Sequence, residues 1–110
     1  MRVGGEPSTA LADFVRCRDL TCRFPGCDHP AQRSDLDHTV PWRPGGEHQS
    51  AIGNYGPLTQ AHHNLKTHAP WQVRQPFPGI FVWRDPDGAT YLVDHTGTRR
   101  VDGHPQASEA

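Results

Sequence analysis

Hydrophobic positions along this chain follow two patterns, one helical and one strand-like. Near the start, Leu11, Phe14 and Val15, with the stem of Arg18, recur at the i, i+3, i+4 spacing of a helix. A Ser8 or Thr9 N-cap precedes them, so one short helix is expected over residues 8–18. Cys22-Arg23-Phe24-Pro25-Gly26-Cys27 then sets a Pro-Gly turn between two cysteines, a knuckle that brings both sulfurs to one side. Asp35 to Val40 alternates in polarity and carries β-branched residues, which reads as a short strand stopped by Pro41. Pro44-Gly45-Gly46 reads as a loop, and the stretch up to Gly56 is too rich in glycine and polar residues for a long element. Pro57 and Pro70 bracket a second helix from Leu58 to Thr67, with Leu58, Ala61 or His62, and Leu65 on one face.

From Trp71 onward the pattern changes to three strand-like runs: Trp71 to Gln75, Ile80 to Arg84 and Thr90 to Asp94. Pro76-Phe77-Pro78-Gly79 and Asp85-Pro86-Asp87-Gly88 supply turns between them, so a small antiparallel meander is expected. Residues 101–110 are polar and small and are expected to fray. The fold class implied is α+β. A chain of 110 residues fits one domain, residues 1–110. Only 34% of it is hydrophobic, with 11 Gly and 11 Pro, so the core is thin and a staple is expected: a metal, disulfides, or a missing remainder of a longer protein.

Charge limits how a nucleic acid could be held. Eleven Lys and Arg against 12 Asp and Glu give a net charge of −1, so no bulk basic field exists and any nucleic acid must be held by a few local contacts. Within residues 35–68, Arg43 and Lys66 face Asp35, Asp37 and Glu47, so that region is not charged for DNA until a cation binds. No apolar run approaches the ~20 residues of a membrane span, and Met1 to Ala10 lacks the basic and apolar parts of a signal peptide. A cytoplasmic protein with no membrane partner is expected. The three cysteines fall between Cys17 and Cys27, an odd count that favours metal ligation over a disulfide framework.

Five of the eight histidines lie between Asp35 and His68, and the candidate chemistry lies there too. Cys22-x4-Cys27 followed by a His-rich helix has the logic of a zinc site. Its strong ligands are Cys22, Cys27 and His62. Thr59, one helical turn before His62, is a poor ligand, which leaves Cys17, His29 or His68 to complete a tetrahedron, or no zinc at all. The second constellation is Asp37-His38 at a strand end, Asn54 in the following loop, and His63 with Lys66 on the helix. Neighbours on a strand point to opposite faces, so Asp37 and His38 can take different roles. A divalent cation held by Asp37 and His63 would bind a scissile phosphate, while neutral His38 took a proton from the attacking water. Asn54 would fix the imidazole's orientation, and Lys66 would neutralise a flanking phosphate. Asp35 lies on the same strand face as Asp37 and reads as a loop cap ahead of a metal ligand. Trp71, Phe81, Trp83 and Tyr91 read as core ahead of base-stacking platforms, and Arg99-Arg100 as a solvated pair.

Cys-x4-Cys, Asp-His ten residues later, Pro41-Trp42, Gly45-Gly46, Asn54, Leu58 and His62-His63-Asn64-Leu65-Lys66-Thr67 together resemble the HNH endonuclease family. More narrowly, the chain is similar to the HNH module at the C-terminal end of a large bacterial family whose N-terminal region is of unknown function. That similarity runs on through Gln75-Pro76-Phe77-Pro78-Gly79 and Val93-Asp94-His95-Thr96-Gly97. The resemblance implies a ββα-metal finger over residues 16–68, a β-rich extension over residues 71–98, and a longer protein whose N-terminal region is absent here. It implies His38 as general base, Asp37 and His63 as ligands of Mg²⁺ or Mn²⁺, with Zn²⁺ or Ni²⁺ as alternatives, Asn54 as orienting residue and Lys66 as the basic residue. It implies a structural zinc at Cys22, Cys27, Thr59 and His62; members with an intact site carry cysteine where Thr59 stands. The implied activity is metal-dependent cleavage of double-stranded DNA. The alternative is a zinc-stapled module that binds nucleic acid or another partner, with degenerate catalysis.

Overall fold

The computed structural model describes residues 7–40 and 52–101. Among them the architecture is α+β, with two helices, a two-stranded antiparallel sheet and a four-stranded antiparallel sheet. Helix α1 spans Thr9–Asp19, and the Ser8 hydroxyl accepts the Leu11 N–H at 3.1 Å as its N-cap. Val15 is its buried apolar residue, whereas Phe14, expected to face inward, is half exposed. The Cys22 to Cys27 knuckle is a tight turn closed by the Cys27 N–H on the Phe24 carbonyl at 3.0 Å. Pro25 supplies its fixed φ and Gly26 the positive φ of 77° that a side chain would resist.

Strand β1 (Asp35–His38) pairs antiparallel with β2 (Tyr55–Leu58), Asp37 opposite Gly56 and His38 opposite Tyr55. Helix α2 (Gln60–His68) follows at once, capped by Thr59, whose hydroxyl accepts the His62 N–H at 3.2 Å. The helix thus begins after Leu58, which ends β2 opposite Asp35 and is 2% exposed. Sequence patterning missed β2 because Tyr55-Gly56-Pro57-Leu58 is buried throughout and shows no alternation. Similarly, β1 stops at His38, short of the expected Val40.

The C-terminal part has four strands, not three: β3 (Gln72–Phe77), β4 (Ile80–Arg84), β5 (Thr90–Asp94) and β6 (Gly97–Arg100), paired in that order. Patterning also passes over β6, because all its residues are exposed and no apolar alternation marks it. Val101, expected to fray, donates its N–H to the Thr90 carbonyl at 2.9 Å. The rest of that expected tail, the Pro44-Gly45-Gly46 loop, Trp42 and Arg43 lie outside the described residues.

One face of the four-stranded sheet packs on the cysteine knuckle and β2 through Phe81, Trp83 and Val93 against Cys22 and Leu58. The Trp83 indole donates to the Arg23 carbonyl at 2.8 Å, and the Arg23 guanidinium, 7% exposed, donates to the Asp94 carbonyl at 3.0 Å. Gln75 of β3 donates to Thr39 Oγ1 at 2.9 Å and the Tyr55 carbonyl at 3.2 Å. The tail aromatics therefore serve mainly as core. No helix among the described residues is long and apolar enough to cross a membrane.

A Cβ at Gly56 would meet two Phe81 ring carbons at 2.7 Å. Gly56→Ala is expected to destabilise the fold by about 1–3 kcal/mol through overpacking at the junction of the two sheets. Urea denaturation checks this, and an unchanged midpoint would mean that Phe81 does not rest against β2.

Candidate functional site

The antiparallel hairpin delivers Asp37 to a buried position, 8% exposed, facing α2. His63 and Lys66 stand three residues apart on that helix and so share a face. The Asp37 carboxylate meets both: Oδ1 lies 3.2 Å from His63 Nε2 and Oδ2 accepts from Lys66 Nζ at 2.8 Å. Lys66 Nζ also donates to the His38 carbonyl at 2.8 Å, so its ammonium is held within the protein rather than extended into solvent. Asp35, expected as a loop cap, instead has Oδ2 3.6 Å from His63 Nδ1, on the other side of the same ring.

His38 rests its imidazole on its cross-strand partner Tyr55, ring centroids 4.6 Å apart. Its Nε2 is buried without a hydrogen-bond partner among the described residues. Burial pulls the His38 pKa below its ordinary 6.5; the Asp37 carboxylate opposes this and the Lys66 ammonium adds to it. The ring is therefore neutral at pH 7. Asn54, 9% exposed, ties down the chain just after His38: its carbonyl accepts the Thr39 N–H at 2.9 Å, and its side-chain amide pairs with both backbone groups of Val40. A cavity of about 510 Å³ opens over this group, bounded by Asp37, His38, His63 and Lys66 on one side and by Trp71, Gln72 and Val73 on the other. Sequence reasoning gives Gln72 no role, since an isolated glutamine on a strand carries no motif, and it quotes Gln75 only within a longer run without assigning it a contact.

A second cluster lies on the other flank of α2. One ligand atom from each of Cys22, Cys27 and His62 falls within 4.8 Å of the others, close enough to hold a metal ion. Cys22 Sγ lies 3.5 Å from His62 Nδ1 and accepts the Thr59 N–H at 3.4 Å. Phe24 stacks on the His62 ring at 4.1 Å, with 11° between the planes. Burial raises the Cys22 thiol pKa and lowers that of His62, so both favour the uncharged form without a metal. Among the described residues, none of Cys17, His29 and His68 joins the cluster, and Cys17 is exposed on α1. Thr59 contributes as the cap of α2, its hydroxyl already engaged with the His62 N–H.

No family model matches the chain, and no solved structure matches it. Two proteins of Mycobacterium tuberculosis (strain ATCC 25618 / H37Rv) are similar to it. "Uncharacterized protein Rv2100" is 48% identical over 95 residues, which is 86% of this chain and 16% of that protein. "Uncharacterized protein Rv3776" is 48% identical over 89 residues, 80% of this chain and 17% of that protein. The chain thus spans about a sixth of the length of these relatives.

His38 and His62 both have pKa values lowered on folding, so between those values and 6.5 the unfolded chain binds more protons than the folded one. Their contribution to stability is complete above pH 6.5 and is lost as pH falls through the lowered values. In metal-free protein, urea midpoints are expected to drop between about pH 7.5 and about pH 5, and NMR titration should give both rings pKa values below 6.5. A His38 titration at or above 6.5 would remove burial as the dominant influence on that ring.

Proposed function

We propose that this chain is a metal-dependent HNH endonuclease module, a ββα-metal finger with a β-rich extension, that hydrolyses DNA phosphodiester bonds. The observation that carries this reading is the convergence of Asp37, His63 and an unprotonated His38 on the walls of one cavity. Asp37 Oδ1 and His63 Nε2 would hold the catalytic cation. Their separation of 3.2 Å is close to the ~3 Å between neighbouring ligands of an octahedral ion with bonds of about 2.1 Å. Such an ion, when bound, supplies positive charge to the scissile phosphate and the leaving oxygen.

The chain's own residues do the rest. His38, unprotonated and lining the cavity, accepts the proton of the attacking water on its imidazole. Tyr55 supports the ring from one side. Asn54, by bonding the backbone of Thr39 and Val40, fixes the direction of the chain where it leaves His38 and so acts as a positioning residue. Lys66 bonds Asp37 Oδ2 and so holds the carboxylate with Oδ1 turned toward His63. A structural zinc would be held by Cys22, Cys27 and His62, which fit it in ligand type and proximity; it would staple the knuckle to α2.

One observation favours the alternative of a binding module with degenerate catalysis. The Lys66 ammonium already occupies Asp37 Oδ2 at 2.8 Å, so part of the carboxylate's charge is neutralised without any metal. Plasmid nicking separates the two readings. The purified chain should nick with Mg²⁺ or Mn²⁺ and not with EDTA, and His38→Ala should lower the rate by about 10²-fold or more while retaining DNA binding. Binding without cutting in any metal would favour the alternative.

Zinc has its own test. Returning Zn²⁺ to chelated protein should raise the melting temperature by roughly 4 °C or more, the shift that ~1 kcal/mol gives in a domain this small. Cys22→Ser should abolish the response. No zinc by elemental analysis and no thermal response would remove it from the account.

A further inference from the structure

The outward face of the four-stranded sheet collects arginines from three different strands. The register places Arg74, Val82, Leu92 and Arg99 in one row across β3, β4, β5 and β6, and Gln72, Arg84 and Thr90 in the next. Directly paired residues in an antiparallel sheet lie on the same face. The opposite face carries Val73, Phe81, Trp83, Tyr91 and Val93 and is the one packed on the finger. Arg74, Arg84 and Arg99 are therefore presented together, all exposed, above half-buried Val82 and Leu92.

On the finger, by contrast, most of the described cations serve internal work. Arg16 donates to the Ala31 and Ser34 carbonyls, Arg18 pairs with Asp19, Arg23 is buried, and Lys66 holds Asp37. On the outward sheet face the described carboxylate in reach is Asp94, 3.8 Å from Arg99 and already accepting from Thr96. Asp85, at the turn below Arg84, spends its carboxylate on the turn's own N–H groups and on the Tyr91 hydroxyl. With 11 basic against 12 acidic residues in the whole chain, this concentration is a local asymmetry rather than a share of a general positive field.

Its position adds to the argument. Gln72 lines the cavity over Asp37 and His38, and Gln72 is the cross-strand partner of Arg84. The arginine face thus begins at the cavity's edge. Three strand spacings separate Arg74 from Arg99, ~14 Å, which is the axial rise of about four nucleotides in one DNA strand. Guanidinium groups suit phosphate because they offer paired donors and shed water readily.

We infer that this outward face, through Arg74, Arg84 and Arg99, is the surface that holds the phosphate backbone of the DNA flanking the cleavage site. The inference rests on the nuclease reading and specifies where that substrate lies. These contacts are to backbone, so they set affinity and register and read no sequence.

The test is fluorescence anisotropy with a labelled DNA duplex in the His38→Ala background, across a series of salt concentrations. Arg74→Gln with Arg84→Gln should weaken binding at least tenfold at low salt. It should also reduce the slope of log affinity against log salt by about 1.8, at ~0.9 for each phosphate no longer neutralised. Arg74→Lys with Arg84→Lys keeps both charges and should retain most of that slope. Arg33→Gln removes an exposed arginine from the 3-10 turn at Ala31–Arg33 and should leave binding unchanged. Thermal melts of each variant verify the fold, and single substitutions carry the comparison if the double one unfolds. Unchanged affinity and slope in folded variants would overturn the inference while leaving the nuclease reading intact, as would an equal loss from Arg33→Gln. Absence of DNA binding by the parent chain would overturn both.

Discussion

A carboxylate removed from water must be compensated, and Asp37 imposes that condition on everything around it. It sits on a four-residue strand whose partner, Tyr55–Leu58, is itself wholly buried, so Asp37 cannot turn outward without breaking the hairpin. The compensation comes from α2, which must cross the hairpin with His63 and Lys66 toward it. That requirement, more than apolar packing, orients the helix: α2 contains no buried residue. A nine-residue helix is marginal by itself. Its hold on the fold is thus largely polar, through Asp37 on one flank and the Cys22 and His62 contact on the other.

The adjacent histidines at the centre of α2 illustrate how two centres share one element. Successive helical residues point ~100° apart. His62 turns to the sulfurs and His63 to the carboxylate. Phe24 shields the first from the knuckle side. Whatever settles His62 at the cluster also sets the rotation of His63 relative to Asp37, since both hang from the same rigid turn. The sulfur cluster is in this sense part of the geometry of the cavity, although none of Cys22, Cys27 and His62 lines it.

Much of this is legible where the signal is local. The capped first helix, the Pro-Gly knuckle and the Asp37-His38 pair are all read from a few consecutive residues. What stays hidden depends on partners distant in sequence. β2 is a strand because Asp35–His38 is there to pair with it and Phe81 there to cover Gly56, neither of which alternation reveals. β6 is fully exposed and held by its ladder with β5. Lys66, read from sequence as a phosphate contact, is drawn inward because the buried Asp37 carboxylate attracts it more strongly than solvent does. Thr59 reads from sequence as a poor ligand, and its capping role follows only from where α2 starts, which patterning sets too early.

The four-stranded sheet resolves the difficulty of the thin core. Two short strands and a short helix offer little apolar surface to bury, and 34% hydrophobic content leaves few residues to add. The sheet answers with concentrated side chains: Phe81, Trp83 and Val93 close over Cys22 and Leu58, so that the core lies at the boundary between the two sheets. Polar ties then fix the angle, Arg23 to the Asp94 carbonyl, Trp83 to the Arg23 carbonyl, and Gln75 to Thr39 and Tyr55. Because Thr39 follows His38 directly, the Gln75 tie links the sheet to the strand end that carries the imidazole. The sheet is consequently both the lid of the core and the far wall of the cavity, and its inward and outward faces divide the labour between stability and charge.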